Sequence, residues 1–115
     1  MSWCLPEQAR VSGVQIISGD NYLSQMIRAQ ALISGDVQGV GFRQWTVTQA
    51  HALGLKGFVR NIADGRVEAV FEGEELQVDA MLKRAHRGPH LARVIAVQVE
   101  YQDFSGQFDD FELVR

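Results

Sequence analysis

From Ile27 onward, apolar and polar residues alternate in runs whose period changes from two to about 3.6 and back. Ile27, Ala29, Ala31 and Ile33 stand two apart, the spacing of side chains on one face of a strand. Phe42, Trp45, Thr46, Gln49, Ala50 and Leu53 then recur at helical spacing, and Gly54 supplies a natural stop. Lys56–Asn61 and Arg66–Glu72 read as two short strands around Ile62-Ala63-Asp64-Gly65, where the Asp-Gly pair favours a hairpin turn. Glu74–Arg87 predicts a second amphipathic helix, with Val78, Met81, Leu82 and Ala85 on its apolar side, acidic residues near its start and basic ones near its end. Gly88-Pro89 breaks it. Ile95, Val97, Val99 and Tyr101 then alternate with Ala96, Gln98, Glu100 and Gln102 as a fourth strand, and Phe108–Val114 reads as a short final one.

The order is β-α-β-β-α-β with an extra C-terminal strand. It predicts an α+β domain of the ferredoxin-like split βαβ type, an antiparallel sheet with two helices on one face and right-handed crossovers. Residues before Met26 show no sustained period, and Val14-Gln15-Ile16-Ile17 is at most a weak strand. The expected organisation is a flexible N-terminal extension over residues 1–26 and one domain over 27–115.

Composition narrows the partners. A net charge of −3, from 11 basic and 14 acidic residues, argues against a protein that works by neutralising nucleic-acid phosphates. RNA-binding domains can share this element order, but they display aromatics on a basic third strand. Here that strand reads Arg66-Val67-Glu68-Ala69-Val70-Phe71-Glu72. Phe42, Trp45 and Phe58 sit at core spacing rather than as a stacking platform. The single cysteine, Cys4, offers no internal disulfide, which suits a reducing cytoplasm. No apolar run reaches the ~18 residues of a membrane span, and the N-terminus lacks the pattern of a signal peptide. His51, His86 and His90 share no ligand spacing, so no metal is expected, and Glu72, Glu74 and Glu75 read as a strand end and a helix start. The helices show no excess apolar face, which points to a monomer.

The segment between the first strand and helix, Gly35-Asp36-Val37-Gln38-Gly39-Val40-Gly41-Phe42-Arg43, carries the chemistry. Glycines at 35, 39 and 41 allow tight turns and close approach, so main-chain N–H groups can converge on an anion. The helix that follows adds its positive end, and the Arg43 guanidinium can take two oxygens at once. A nucleotide P-loop is excluded, because Gly41 is followed by Phe42 and Arg43 rather than Lys and Ser/Thr. The glycine spacing also misses the dinucleotide fingerprint.

Taken together with GFVRN ending at Asn61, GRVEAVFEG, GPHLARV and the closing FDDFELVR, this loop resembles the acylphosphatase family over roughly Ile27 to Arg115. The resemblance implies hydrolysis of a small acyl phosphate to a carboxylate and inorganic phosphate, on this fold, without metal or cofactor. It places the catalytic arginine on Arg43 and the catalytic asparagine on Asn61. The phosphate cradle falls on Gly35, Val37, Gln38, Gly39, Val40, Gly41 and Phe42, chiefly through backbone N–H groups from Val37 to Phe42. The chemistry is consistent with those residue types. The leaving carboxylate needs no proton, so positioning a water and stabilising charge on the phosphoryl oxygens suffices. An amide at position 61 accepts a water hydrogen without repelling the dianion.

Singly, Arg43 reads as a surface arginine, Asn61 as a turn residue and the glycines as a tight connection; jointly they favour the enzyme over a non-catalytic phosphate-binding module on the same scaffold. The sequence departs from the commonest pattern at Asp36, where many relatives are basic, and at Ile62 and Arg66, where a hydroxyl is common. Asp36 is expected to point outward.

Overall fold

The structure, a computed structural model, describes residues 14–17 and 22–115, with side chains described from Gln25 onward. In chain order the elements are β1 (Val14–Ile17), β2 (Tyr22–Asp36), α1 (Phe42–Ala52), β3 (Lys56–Asn61), β4 (Val67–Glu74), α2 (Glu75–Arg87), β5 (Arg93–Gln102) and β6 (Phe111–Val114). β1 pairs antiparallel with Tyr22–Gln25, so β2 begins before the point at which its apolar period becomes clear. The rest of the extension expected over residues 1–26 lies outside the described residues.

The main sheet runs β5-β2-β4-β3-β6. β2 and β4 are its centre, and Ile27, Ala29, Ala31 and Ile33 of β2 face Val67, Ala69 and Phe71 of β4 on the helix side. Onto that side α1 places Phe42 and Ala50, and α2 places Val78, Met81, Leu82 and Ala85. Every one of these apolar side chains is buried, and each contributes about 1–3 kcal/mol from its removal from water, the alanines least. α2 ends where Gly88, at φ 70°, donates its N–H to Arg84 O. This is the split βαβ arrangement the periodicity predicts.

One strand pair departs from the antiparallel expectation. β6 runs parallel to β3, pairing Gly57 with Phe111 and Val59 with Leu113. The reason is topological: β5 lies at one edge and β6 at the other, and residues 103–110 carry the chain back across the face opposite the helices. Buried Glu72 anchors that crossing, accepting from Ser105 N at 2.9 Å, Ser105 Oγ at 2.7 Å, Gly106 N at 3.1 Å and Arg28 Nη1 at 3.3 Å. Phe108, expected to open the last strand, instead packs in this crossing, its ring 6.0 Å from Phe58 and beneath the Arg28 guanidinium. β4 is consequently buried on both faces from Val67 to Gly73. Glu68 is covered on that same face and receives hydrogen bonds from Arg60 and Gln30. Phe71 and Phe111 stack at 5.3 Å and tie the parallel strand into the core.

Candidate active site

Three segments meet at one end of the sheet. β2 delivers the glycine loop, β3 delivers Asn61 and β6 delivers Leu113. A cleft of about 130 Å³ lies between them, lined by Val37, Gly39, Gly41, Phe42, Arg43, Gln44, Asn61 and Leu113.

The loop is held at both ends. Gly35 sits at a register shift between β2 and β5 with φ 127°, and a Cβ there would lie 2.1 Å from Arg93 O, so only glycine fits. Val37 is 1% exposed and pins the loop into the core. Gly41, at φ 80° and ψ 15°, turns the chain into α1 with no side-chain cap, and the first helical turn contains no acidic residue. The first intrahelical donor is Trp45 N–H, to Gly41 O at 3.0 Å. The N–H groups of Phe42, Arg43 and Gln44 therefore have no helical acceptor. Among the described residues, no turn, loop or cap backbone bond has its donor between Gln38 and Gln44. A helix start that only ends a loop takes a capping oxygen or a carboxylate. This one instead carries a cation, Arg43, at the positive end of the dipole, an arrangement that an anion would balance.

Asn61 ends β3 on the face shared with Val59 and opposite Val67. Its Oδ1 is buried and has no hydrogen-bond partner among the described residues. Such an acceptor costs about 1–3 kcal/mol if left unpaired. The hairpin that follows is tight: Ile62 N–H donates to Arg66 O at 2.9 Å and Gly65 N–H to Ile62 O at 3.1 Å. Asp64 pairs with Arg66 at 2.8 Å, and the hydrogen bond from the Arg66 side chain holds the Asp64 carboxyl below its ordinary range. Across the cleft, Arg43 Nη1 lies 3.5 Å from Val114 O.

The acylphosphatase family model matches residues 29–113. The chain belongs to the acylphosphatase family. It is 51% identical to an acylphosphatase of Geobacter sulfurreducens over 87 residues, which cover 76% of this chain and 96% of that protein. It is 54% identical to one from Nostoc over 92 residues, covering 80% and 90% respectively. The crystal structure of acylphosphatase from Bacillus subtilis matches with a TM-score of 0.75 at 29% identity, over 77% of this chain and 99% of that one. The protein is thus an enzyme, an acyl phosphate hydrolase.

Within this acylphosphatase fold the residues singled out from the sequence divide. Val37, Gly39, Gly41, Phe42, Arg43 and Asn61 line the cleft together. Gly35, which lies in β2, is outside the lining, and so are two residues of the loop, Gln38 and Val40, the latter packed partly on the core. Asp36 is exposed and outside the lining too. Phe42 and Trp45 meet edge to face at 5.4 Å, a packing contact. His51 reaches Phe111 O and Asp110, and His86 reaches Leu82 O, so both serve local structure. Gln44 and Leu113 were not legible as lining residues. Gln44 is the neighbour of Arg43, and Leu113 belongs to a motif whose period announces only a strand. Among the described residues no three of His, Cys, Asp and Glu are grouped to hold a metal ion, and no helix is long and apolar enough to cross a membrane.

Proposed function

We propose that Arg43 and the loop N–H groups hold the phosphoryl end of an acyl phosphate while Asn61 orients the attacking water. The observation that carries this reading is the buried, unpartnered Asn61 Oδ1 in the same cleft as Arg43. A cleft of about 130 Å³ has room for a phosphoryl group and a water beside it. The water oxygen attacks phosphorus as the bond from phosphorus to the acyl oxygen breaks, and that oxygen leaves with the electron pair as a carboxylate. Both water hydrogens end on phosphate, so a dianionic substrate yields a carboxylate and dihydrogen phosphate. The leaving group takes no proton, and a carboxamide suffices where a general base would otherwise stand. Arg43 bridges two phosphoryl oxygens, and the N–H groups of Phe42, Arg43 and Gln44 complete the charge stabilisation. The side chains touching the phosphoryl end are Arg43 and Asn61, so a range of acyl groups is accommodated. From the lone cysteine and the lack of an excess apolar helix face we also propose a cytoplasmic monomer, acting on small molecules without metal or cofactor.

Hydrolysis of benzoyl phosphate with a chelator present, by the natural protein and by Asn61→Ala, tests it. The expected result is metal-independent turnover that falls roughly 10²–10³-fold in the variant. Equal turnover by the two proteins removes Asn61 from the reaction.

A further inference from the structure

Gln38 is exposed and contributes no side-chain wall to the cleft, yet its carboxamide makes two long-range bonds. Nε2 donates to Ile62 O at 2.8 Å and to Arg66 O at 2.9 Å, 24 and 28 positions along the chain. Those carbonyls are the two sides of the hairpin mouth that directly follows Asn61. Each already accepts a backbone N–H within the turn, from Gly65 and Ile62 respectively. The turn's donors are therefore served without Gln38, and each carbonyl uses its second lone pair to receive the amide. What the contact adds is a fixed distance between loop and turn.

That distance is otherwise set indirectly. The cradle follows β2 and Asn61 ends β3, but the two strands are not neighbours, because β4 lies between them. Their relative position passes through two ladders, each spaced by about 4.8 Å. In-line attack needs the water oxygen and phosphorus about 3–3.5 Å apart and aligned. Among the described side-chain hydrogen bonds, the two from Gln38 are the only ones joining residues 37–41 to residues 61–66. A primary amide suits the task, since it offers two hydrogens on one nitrogen and brings no charge to the mouth of an anion site.

We propose that Gln38 is a positioning residue, a strut whose amide clamps the cradle loop to the Asn61 turn and so aligns the Asn61-held water with the phosphoryl group. The proposal rests on the assignment of Asn61 made above. It acts through Asn61 alone, so it separates from any general effect on the loop.

Gln38→Met keeps the length of the side chain and removes both donated hydrogens. The expected result is a kcat lower by roughly 10–100-fold, the scale of a small misplacement of reacting groups. Inhibition by inorganic phosphate should change by less than about 3-fold, because the N–H cradle and Arg43 remain; this also shows the loop to be folded. In an Asn61→Ala background the same substitution should cost no more than about 2-fold further, since its effect passes through a group already removed. A kcat loss of equal size in both backgrounds, or a loss of phosphate affinity in step with kcat, overturns the proposal. Full kcat in Gln38→Met with Asn61→Ala inactive overturns the strut alone. Full kcat in Asn61→Ala overturns the strut together with the assignment on which it rests.

Discussion

Replacing Asn61 by Asp keeps the shape of a half-buried side chain whose Oδ1 is covered, and turns a neutral acceptor into a negative one. Its Oδ1 lies buried at a cleft of about 130 Å³, so a phosphate inside sits at roughly van der Waals range. At about 4 Å and an effective dielectric near 20, two like charges repel by ~4 kcal/mol. Arg43 balances one charge of a phosphate dianion, leaving about one uncompensated. The repulsion then weakens phosphate binding by roughly 10²–10³-fold, allowing for screening by the open cleft. The assay is competitive inhibition by inorganic phosphate at fixed ionic strength, with Asn61→Ala as the control that removes the amide without adding charge. Near pH 8 the Asp variant should bind phosphate roughly 10²–10³-fold more weakly than the Ala variant. Burial and the phosphate itself both raise the introduced carboxyl's pKa, so it protonates on acidification. The gap between the variants should then shrink towards pH ~5. Equal phosphate affinity of the two variants at pH 8 would show that position 61 does not face the phosphate.

Arg43→Lys should lower kcat/KM by roughly 10²-fold or more with the thermal unfolding transition unmoved, since one ammonium cannot span two oxygens; a loss under about 3-fold contradicts the clamp. Acid stability gives a further check at Glu68. Burial pushes its carboxyl up, but hydrogen bonds from Arg60 and Gln30, with the Arg60 charge, outweigh this and leave it below the ordinary glutamate value. The stabilisation is therefore complete above the unfolded value, near pH ~4.3, and is lost as pH falls through the lowered folded value. Urea unfolding at pH 7 and pH 3.5 should show a smaller pH dependence for Glu68→Gln than for the natural protein, and identical dependences would contradict the shift.

Local period was enough to place the two helices and the order of elements along the chain, because each element buries one regular stripe: Ile27 to Ile33 in β2, Val78 to Ala85 in α2. It said nothing of direction between distant partners, which is why the parallel pairing of β6 with β3 escaped it. β4 is misleading for a related reason. Glu72 reads only as a strand end and nothing in the pattern sets Glu68 apart, yet both are buried under partners up to 44 positions away. At the site, glycines and Arg43 announce an anion because their chemistry is local. The burial of Asn61 Oδ1 and the reach of Gln38 to Ile62 and Arg66 depend on how three segments meet, and no short window of sequence contains that meeting.

The crossing segment held by Glu72 has a consequence for how this enzyme fails. Leu113 and the Val114 carbonyl belong to the cleft, but they ride on a four-residue edge strand paired on one side only. Edge elements of this kind open at a lower free energy than the central ladder. Opening of β6 takes Leu113 from the cleft and the Val114 carbonyl from Arg43, and it also withdraws the buried Phe111 from its stack on Phe71, so that edge of the core loosens with the site. Activity and this edge of the core are therefore expected to be lost in the same local opening, ahead of the central ladder, and faster amide exchange in β6 than in β2 would report it.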